Sequence, residues 1–228
     1  TLFPYTTLFR SRSEERRVGK ECTRKSWYNS DMKKSAAINR CAWCVGKPLY
    51  EQYHDHEWGV PVYNDMILFE FLVLESAQAG LSWWIILQKR EGYRKLFADF
   101  DYKKVAKFTD KKIDTISSNP LIIRHRPKVV ATVENAKRFM EIQKEFGSFS
   151  NYIWKFVRNK PIDNKYSSLK QIQSKTDISD TIAKDLKKRG FKFMGSTIVY
   201  AYMQACGLVN DHVTDCFRYK EVLKRKRK

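Results

Sequence analysis

No run of apolar residues in this 228-residue chain approaches the roughly 20 that a membrane-crossing helix requires, and the sequence reads as that of a soluble protein. A regular cysteine framework is missing as well. The five cysteines, Cys22, Cys41, Cys44, Cys206 and Cys216, are odd in number and follow no signal peptide. That argues against a secreted disulfide scaffold and for free or metal-bound thiols in a reducing compartment. Cys41 and Cys44 form a Cys-x-x-Cys pair with no second such pair, so the chain is no zinc ribbon, and the closely spaced four-cysteine run that holds an iron–sulfur cluster is absent. Neither a series of alternating strands nor an internal repeat is found. Acidic residues are scarce: 25 Asp and Glu stand against 44 Lys and Arg, a net charge of +19. Such an excess favours polyanions, nucleic acid before an anionic membrane surface, although lysines scattered singly over helices give the same total on an ordinary solvated surface.

What is present suffices for a real core, with 43% hydrophobic and 14% aromatic residues and a length that suits one ordinary domain or two small ones. Residues 1–31 carry no periodicity that continues into the rest of the chain. They read as an artefactual or disordered extension, translated adapter or vector sequence ahead of a start at Met32, and three glutamates fit an Arg-rich presequence poorly. Cys22 falls in it. The folded body is expected over 32–220, followed by a basic tail, 221–228.

Helical patterns dominate that body, so the fold class is all-α. Asp65–Gln78 is apolar almost all round, the mark of a buried helix. Ser82 is placed to cap a second helix through Trp84, Ile85, Leu87 and Tyr93. Further helices are predicted at about 124–146, 149–157, 178–189 and 197–206. The last two are joined by Gly190-Phe-Lys-Phe-Met-Gly195. Gly190 follows a Lys-Lys-Arg turn, where a left-handed C-cap belongs, and Gly195 and Ser196 open the next helix, whose free N–H groups can hold a phosphate. This is the pattern of a helix-hairpin-helix clamp on a DNA backbone, although any two helices joined by a Gly-rich turn would show it.

Six candidate metal ligands, Cys41, Cys44, His54, His56, His212 and Cys216, cluster near the two ends of the body. His212 and Cys216 stand one helical turn apart, so both side chains can face one ion. Cys41 with His54 completes a closed tetrahedral zinc set, and Cys44 in place of His54 completes another. Small core cysteines and surface histidines are the bland alternative.

Aromatic residues crowd the stretch from Trp43 through Tyr50, Tyr53, Trp58, Tyr63 and Trp83 to Trp84. Flat faces of this kind hold an extruded base by stacking, and a cationic base adds cation–π attraction; an ordinary aromatic core is the competing reading. Glu70 and Glu75 interrupt the apolar helix. Each is either ion-paired or waiting for a cationic or hydrogen-bond-donating ligand, and periodicity does not choose between them.

Five stretches in order, RCAWC at 40–44, PLYEQYHDHEWGVP at 48–61, LESAQAGLSW at 74–83, IIRHRPK at 122–128 and LKKRGFKFMGSTIVYAYMQACGLVNDHV at 186–213, resemble the bacterial 3-methyladenine DNA glycosylase I family. The resemblance covers about 40–219, essentially the whole body. It implies a helix-hairpin-helix glycosylase fold with one structural Zn2+ on Cys41, His54, His212 and Cys216, joining the two ends of the body. Cys44 and His56 lie outside that ligand set. It also implies that Glu75, not Glu70, serves the pocket as the catalytic carboxylate. Tyr53 and Trp83 would stack on the base, Tyr50 and Trp58 would line the pocket, and Gly80 and Leu81 would enter the duplex where the base has left.

The function expected from this resemblance is hydrolysis of the N-glycosidic bond of 3-methyladenine in alkylated double-stranded DNA. Free 3-methyladenine is the product, and no lyase step is expected because no lysine nucleophile is evident. The protein is expected to be a monomer, cytoplasmic in a bacterium and nucleoid-associated through DNA. Asp211 is read as orienting His212, with a catalytic role as the alternative. A zinc-stabilised DNA-binding module without catalysis is the rival class; it would have no need of an acid among stacked aromatics.

Overall fold

Ten α-helices follow one another among residues 38–224, the part of the chain that the computed structural model describes. They are α1 (Pro48–His56), α2 (Asp65–Gln78), α3 (Trp83–Leu96), α4 (Tyr102–Val105), α5 (Asp110–Ser117), α6 (Arg126–Phe146), α7 (Phe149–Trp154), α8 (Asp177–Lys188), α9 (Ser196–Ala205) and α10 (Phe217–Leu223). The expectations for 1–31, including Cys22, and for the end of the basic tail lie outside the described residues. One correction to a purely helical class is a minimal parallel pair, β1 (Ile162–Asp163) beside β2 (Val209–Asn210). Residues 221–223, expected as tail, form the last turn of α10, and Val222 is buried there. No helix among the described residues is long and apolar enough to cross a membrane.

Helix α2 is the axis of the fold. Asn64 caps it, accepting from the N–H groups of Met66 and Ile67. Every residue from Leu68 to Ala77 is buried, because α3, α6, α7 and α9 all pack around it. Its C-terminal carbonyls are satisfied from outside the helix. The Lys128 ammonium donates to the carbonyls of Ala77 at 2.8 Å and Ala79 at 2.6 Å. Burial lowers the pKa of that lysine. Ser82 stands at the N-cap of α3 as predicted, but its hydroxyl makes no capping hydrogen bond. Helix α6 starts later than its pattern suggested because His125 takes the cap position, its side chain accepting from Lys128 N–H.

The α8–α9 connection forms a closed turn. Gly190 has φ +89°, Phe191 N–H donates to the Leu186 carbonyl and Gly190 N–H to that of Lys187, the paired bonds of a Schellman C-cap. Asn135, fully buried in α6, grips the turn on both sides: its Nδ2 donates to the Lys192 carbonyl at 3.0 Å and its Oδ1 accepts from Lys192 N–H at 2.8 Å. After α9 the chain crosses the segment that follows α1 at contact distance. Gly207 (φ +68°) has no room for a Cβ against the Val60–Pro61 backbone, and Val62 N–H donates to the Cys206 carbonyl there. That crossing is what brings His54 and His212 together.

Candidate active site and metal centre

A cavity of about 470 Å³ opens between α1, α2, α3 and α9. Its wall holds all five residues assigned to a pocket from the sequence, Tyr50, Tyr53, Trp58, Glu75 and Trp83, together with Trp43, Gln78, Leu169, Ile172, Ala201 and Gln204. The aromatic rings lock one another in place. Trp43 meets Trp58 edge-on at 5.1 Å and Tyr50 at 5.2 Å; Tyr53 lies 5.3 Å from Trp83, and Tyr50 stacks on Trp84 at 5.2 Å. Leu169 and Ile172 come from a single 3-10 turn (Leu169–Gln171) and its C-cap in the stretch after β1, too short for a periodicity to flag them. Gln204 carried a weak signal, one polar residue on the apolar strip of α9.

The two glutamates of α2 separate completely. Five positions apart on a helix is about 140° of rotation, so they face different neighbours. Glu70 accepts from Arg90 Nε at 2.8 Å and from Arg94 at 2.9 Å, an ordinary buried ion pair. Glu75 is 3% exposed, and its Oε2 is buried without any hydrogen-bond partner. Desolvation alone pushes its carboxyl up to about 8. Trp83 Nε1, on the same wall, is likewise buried and unpartnered. The Tyr53 hydroxyl is pushed well above its usual range, by burial first and by Glu75 second. Among the described residues, the cavity therefore combines apolar faces with a Glu75 oxygen and the Trp83 Nε1 donor, neither of which has a protein partner.

Cys41, His54, His212 and Cys216 are all buried, and their donor atoms lie within 4.8 Å of one another, a cluster that could hold a metal ion. His54 Nε2 is 3.5 Å from Cys216 Sγ; His212 Nδ1 is 3.6 Å from Cys216 Sγ and 3.7 Å from Cys41 Sγ. The outer nitrogens are occupied. His54 Nδ1 meets Asp55 at 2.8 Å, and Arg40 holds that carboxylate in turn; His212 Nε2 meets the Trp58 carbonyl at 3.1 Å. The inner nitrogens thus face the sulfurs with their lone pairs. The Cys216 thiol is driven down, first by its hydrogen bond with Cys41 and then by the two histidines, while Cys41 is driven up by the same bond. Cys44 stands apart: it is buried, and its Sγ donates to the Cys41 carbonyl. His56 is exposed on α1.

Two sequence-based expectations change here. His212 and Cys216 do not share a helix. They flank a turn closed by Cys216 N–H on the Val213 carbonyl, which converges the side chains as an α-helical turn would. Asp211 does not orient His212. Its carboxylate accepts from Asn164, Tyr200 and Gln204 instead, and the Trp58 carbonyl takes the role assigned to it.

Of the residues expected to contact DNA, Gly80, Leu81 and Gly195 are exposed, whereas Gly190 and Ser196 are half-buried. Gly80 (φ +79°) and Leu81, 37% exposed, form the loop just after the cavity-lining Gln78. Gly195 is exposed at the N-cap of α9, with open space where a Cβ would stand. The Ser196 hydroxyl is engaged with Ser179 of α8 at 2.8 Å, which leaves its backbone N–H as the group on offer. Phe193 of the turn meets His125, from the 122–128 stretch, edge-on at 6.2 Å.

A mostly helical scaffold with an aromatic cavity around an unpaired buried acid defines a class of protein, and comparison with known proteins identifies the family. The chain belongs to the methyladenine glycosylase family, which matches residues 43–219. It is 48% identical over 177 residues to the DNA-3-methyladenine glycosylase of Haemophilus influenzae, spanning 78% of this chain and 96% of that protein. To DNA-3-methyladenine glycosylase 1 of Escherichia coli K12 it is 45% identical over 182 residues, 80% of this chain and 97% of the relative. Its structure is similar, at a TM-score of 0.77, to a crystal structure of a Tyr→Phe variant of 3-methyladenine DNA glycosylase I in complex with 3-methyladenine; the two are 39% identical, over 84% of this chain and all of the other.

Proposed function

We propose that this chain is a base-excision repair glycosylase that hydrolyses the N-glycosidic bond of 3-methyladenine in alkylated duplex DNA. The single observation that carries the reading is Glu75, a buried carboxyl with an unpartnered oxygen inside an aromatic cavity whose volume is that of a small-molecule site. Methylation at N3 makes the nucleobase cationic. A cation lying against the faces of Tyr53 and Trp83 offsets the cost of charging Glu75, and the carboxyl ionises opposite it. Water attacks C1′ of the sugar as the C1′–N9 bond breaks. The electron pair of that bond neutralises the departing base, and a water proton passes to solvent. The leaving group is already good, so recognition by Glu75 and the rings does much of the work. The proposed reaction is simple hydrolysis without a lyase step.

The four-residue cluster fits one structural zinc ion. A tetrahedral Zn2+ with S ligands at about 2.3 Å and N ligands at about 2.0–2.1 Å has S···N edges of about 3.6 Å; three of the four edges here are 3.5, 3.6 and 3.7 Å, and all four donor atoms lie within 4.8 Å of one another. Bound there, zinc supplies a cross-link between the ends of the domain, since four protein ligands leave no open position. The α8–α9 hairpin, through Gly190, Gly195 and the backbone N–H of Ser196, is the proposed phosphate clamp, with Gly80 and Leu81 entering the duplex beside the cavity mouth. A non-catalytic DNA-binding module would have no use for an unpaired acid in such a cavity. Release of 3-methyladenine, resolved from 7-methylguanine, on incubation with methylated duplex DNA tests the proposal; release of neither base would overturn it.

A further inference from the structure

Gln204 lines the cavity from α9, and its amide is not free to turn. Its Nε2 donates to Asp211 Oδ2 at 2.7 Å. Asp211 is 1% exposed, and the same oxygen accepts from the Tyr200 hydroxyl at 2.8 Å while Oδ1 accepts from Asn164 Nδ2 at 2.7 Å. A carboxylate ringed by donors can only accept, so Gln204 must turn its NH2 group towards Asp211. Its Oε1 is left for the cavity, and no donor among the described residues bonds it. Asp211 is not among the residues that line the cavity, yet two elements aim polar groups at it: α9 through Tyr200 and Gln204, and the chain after β1 through Asn164.

We propose that Gln204 is a specificity-determining residue whose side-chain oxygen accepts a hydrogen bond from the exocyclic amino group of the bound purine, and that Asp211 is the positioning residue that sets this polarity. The inference rests on the reading of the cavity as a base pocket. A 6-amino purine offers an N–H to the Gln204 oxygen. A 6-oxo purine brings a second carbonyl dipole against it. An unrestrained glutamine would rotate and donate to that oxo group. Here rotation would break the bond to Asp211 and set the amide oxygen against a buried carboxylate, so the wrong base meets repulsion as well as a lost hydrogen bond. Discrimination at the 6-position is thereby built into the scaffold before any base arrives.

The test titrates two free bases, 3-methyladenine and its 6-oxo isostere 3-methylhypoxanthine, into the full-length wild type and into Gln204→Leu and Asp211→Asn. Tryptophan fluorescence reports binding, and circular dichroism with metal content checks the fold. The wild type should prefer the 6-amino base, and Gln204→Leu should reduce that preference about tenfold, the size of one hydrogen bond plus a removed repulsion. Asp211→Asn should reduce it as well, through better binding of the 6-oxo base by the released amide. A merely structural role would weaken both bases together and leave the ratio alone. Wild-type discrimination retained in Gln204→Leu overturns this inference and leaves the base-pocket reading standing; failure of the wild type to bind either base overturns both. If Asp211→Asn does not fold, the ratio in Gln204→Leu decides alone.

Discussion

Glu70 and Glu75 share one buried helix, yet Glu70 accepts from two arginines at 2.8 and 2.9 Å while an oxygen of Glu75 is buried with no partner at all. Glu75→Gln should therefore keep the fold and general DNA binding and lose roughly ten- to a hundredfold in affinity for free 3-methyladenine, the worth of one charge-assisted hydrogen bond of about 1.5–3 kcal/mol. Glu70→Gln should leave base affinity nearly unchanged and reduce stability instead, because Arg90 and Arg94 lose their shared acceptor. Titration of the base, with a denaturant curve for each variant, separates the two. Equal base affinities for wild type and Glu75→Gln would move the recognition role off Glu75.

Glu75 also predicts a pH dependence of stability. Its folded value of about 8 lies above its ordinary 4.5. Between those values the folded protein holds a proton that the unfolded chain has released. Stability from this group is thus full below about pH 4.5 and is lost as pH rises towards 8, at up to roughly 1.4 kcal/mol per unit. Urea unfolding at pH 5 and pH 8 should show a larger loss for wild type than for Glu75→Gln. Parallel losses would mean that the group is not desolvated.

One equivalent of zinc per chain is expected after purification without added metal, held by Cys41, His54, His212 and Cys216. The His54→Ala, Cys216→Ala double variant should lose it, whereas Cys44→Ala should keep it, because Cys44 Sγ bonds the Cys41 carbonyl outside the cluster. Elemental analysis of each protein decides the ligand set. Undiminished zinc in the double variant rules it out.

DNA affinity should fall steeply with salt, because Lys and Arg contacts release counterions from phosphates. Gly195→Leu should weaken binding to all sequences alike and leave the fold intact, since a Cβ there meets open space. Binding isotherms on two unrelated duplexes at several salt concentrations check both points. A loss confined to one sequence is incompatible with a backbone clamp.

Much of the scaffold was legible in the amino-acid sequence because it is written in local patterns. A run apolar almost all round, interrupted by Glu70 and Glu75, marks the core of α2, the Lys-Lys-Arg-Gly turn ends α8, and Gly195-Ser196 opens α9. The helices that escaped, α1, α4, α5 and α10, are between four and nine residues long, too short for a period to emerge. The aromatic residues and the six possible metal ligands could be named from the chain, and the family resemblance ordered them. Tertiary structure decided what each one touches. It paired Glu70 and left Glu75 bare, put Cys44 outside the cluster, and turned Asp211 from His212 towards Gln204. None of this is periodic. These contacts depend on which elements pack on α2 and on the backbone crossing at Gly207, which joins segments about 150 residues apart. A carboxylate's neighbours across such a distance are set by packing, and only the folded chain specifies them.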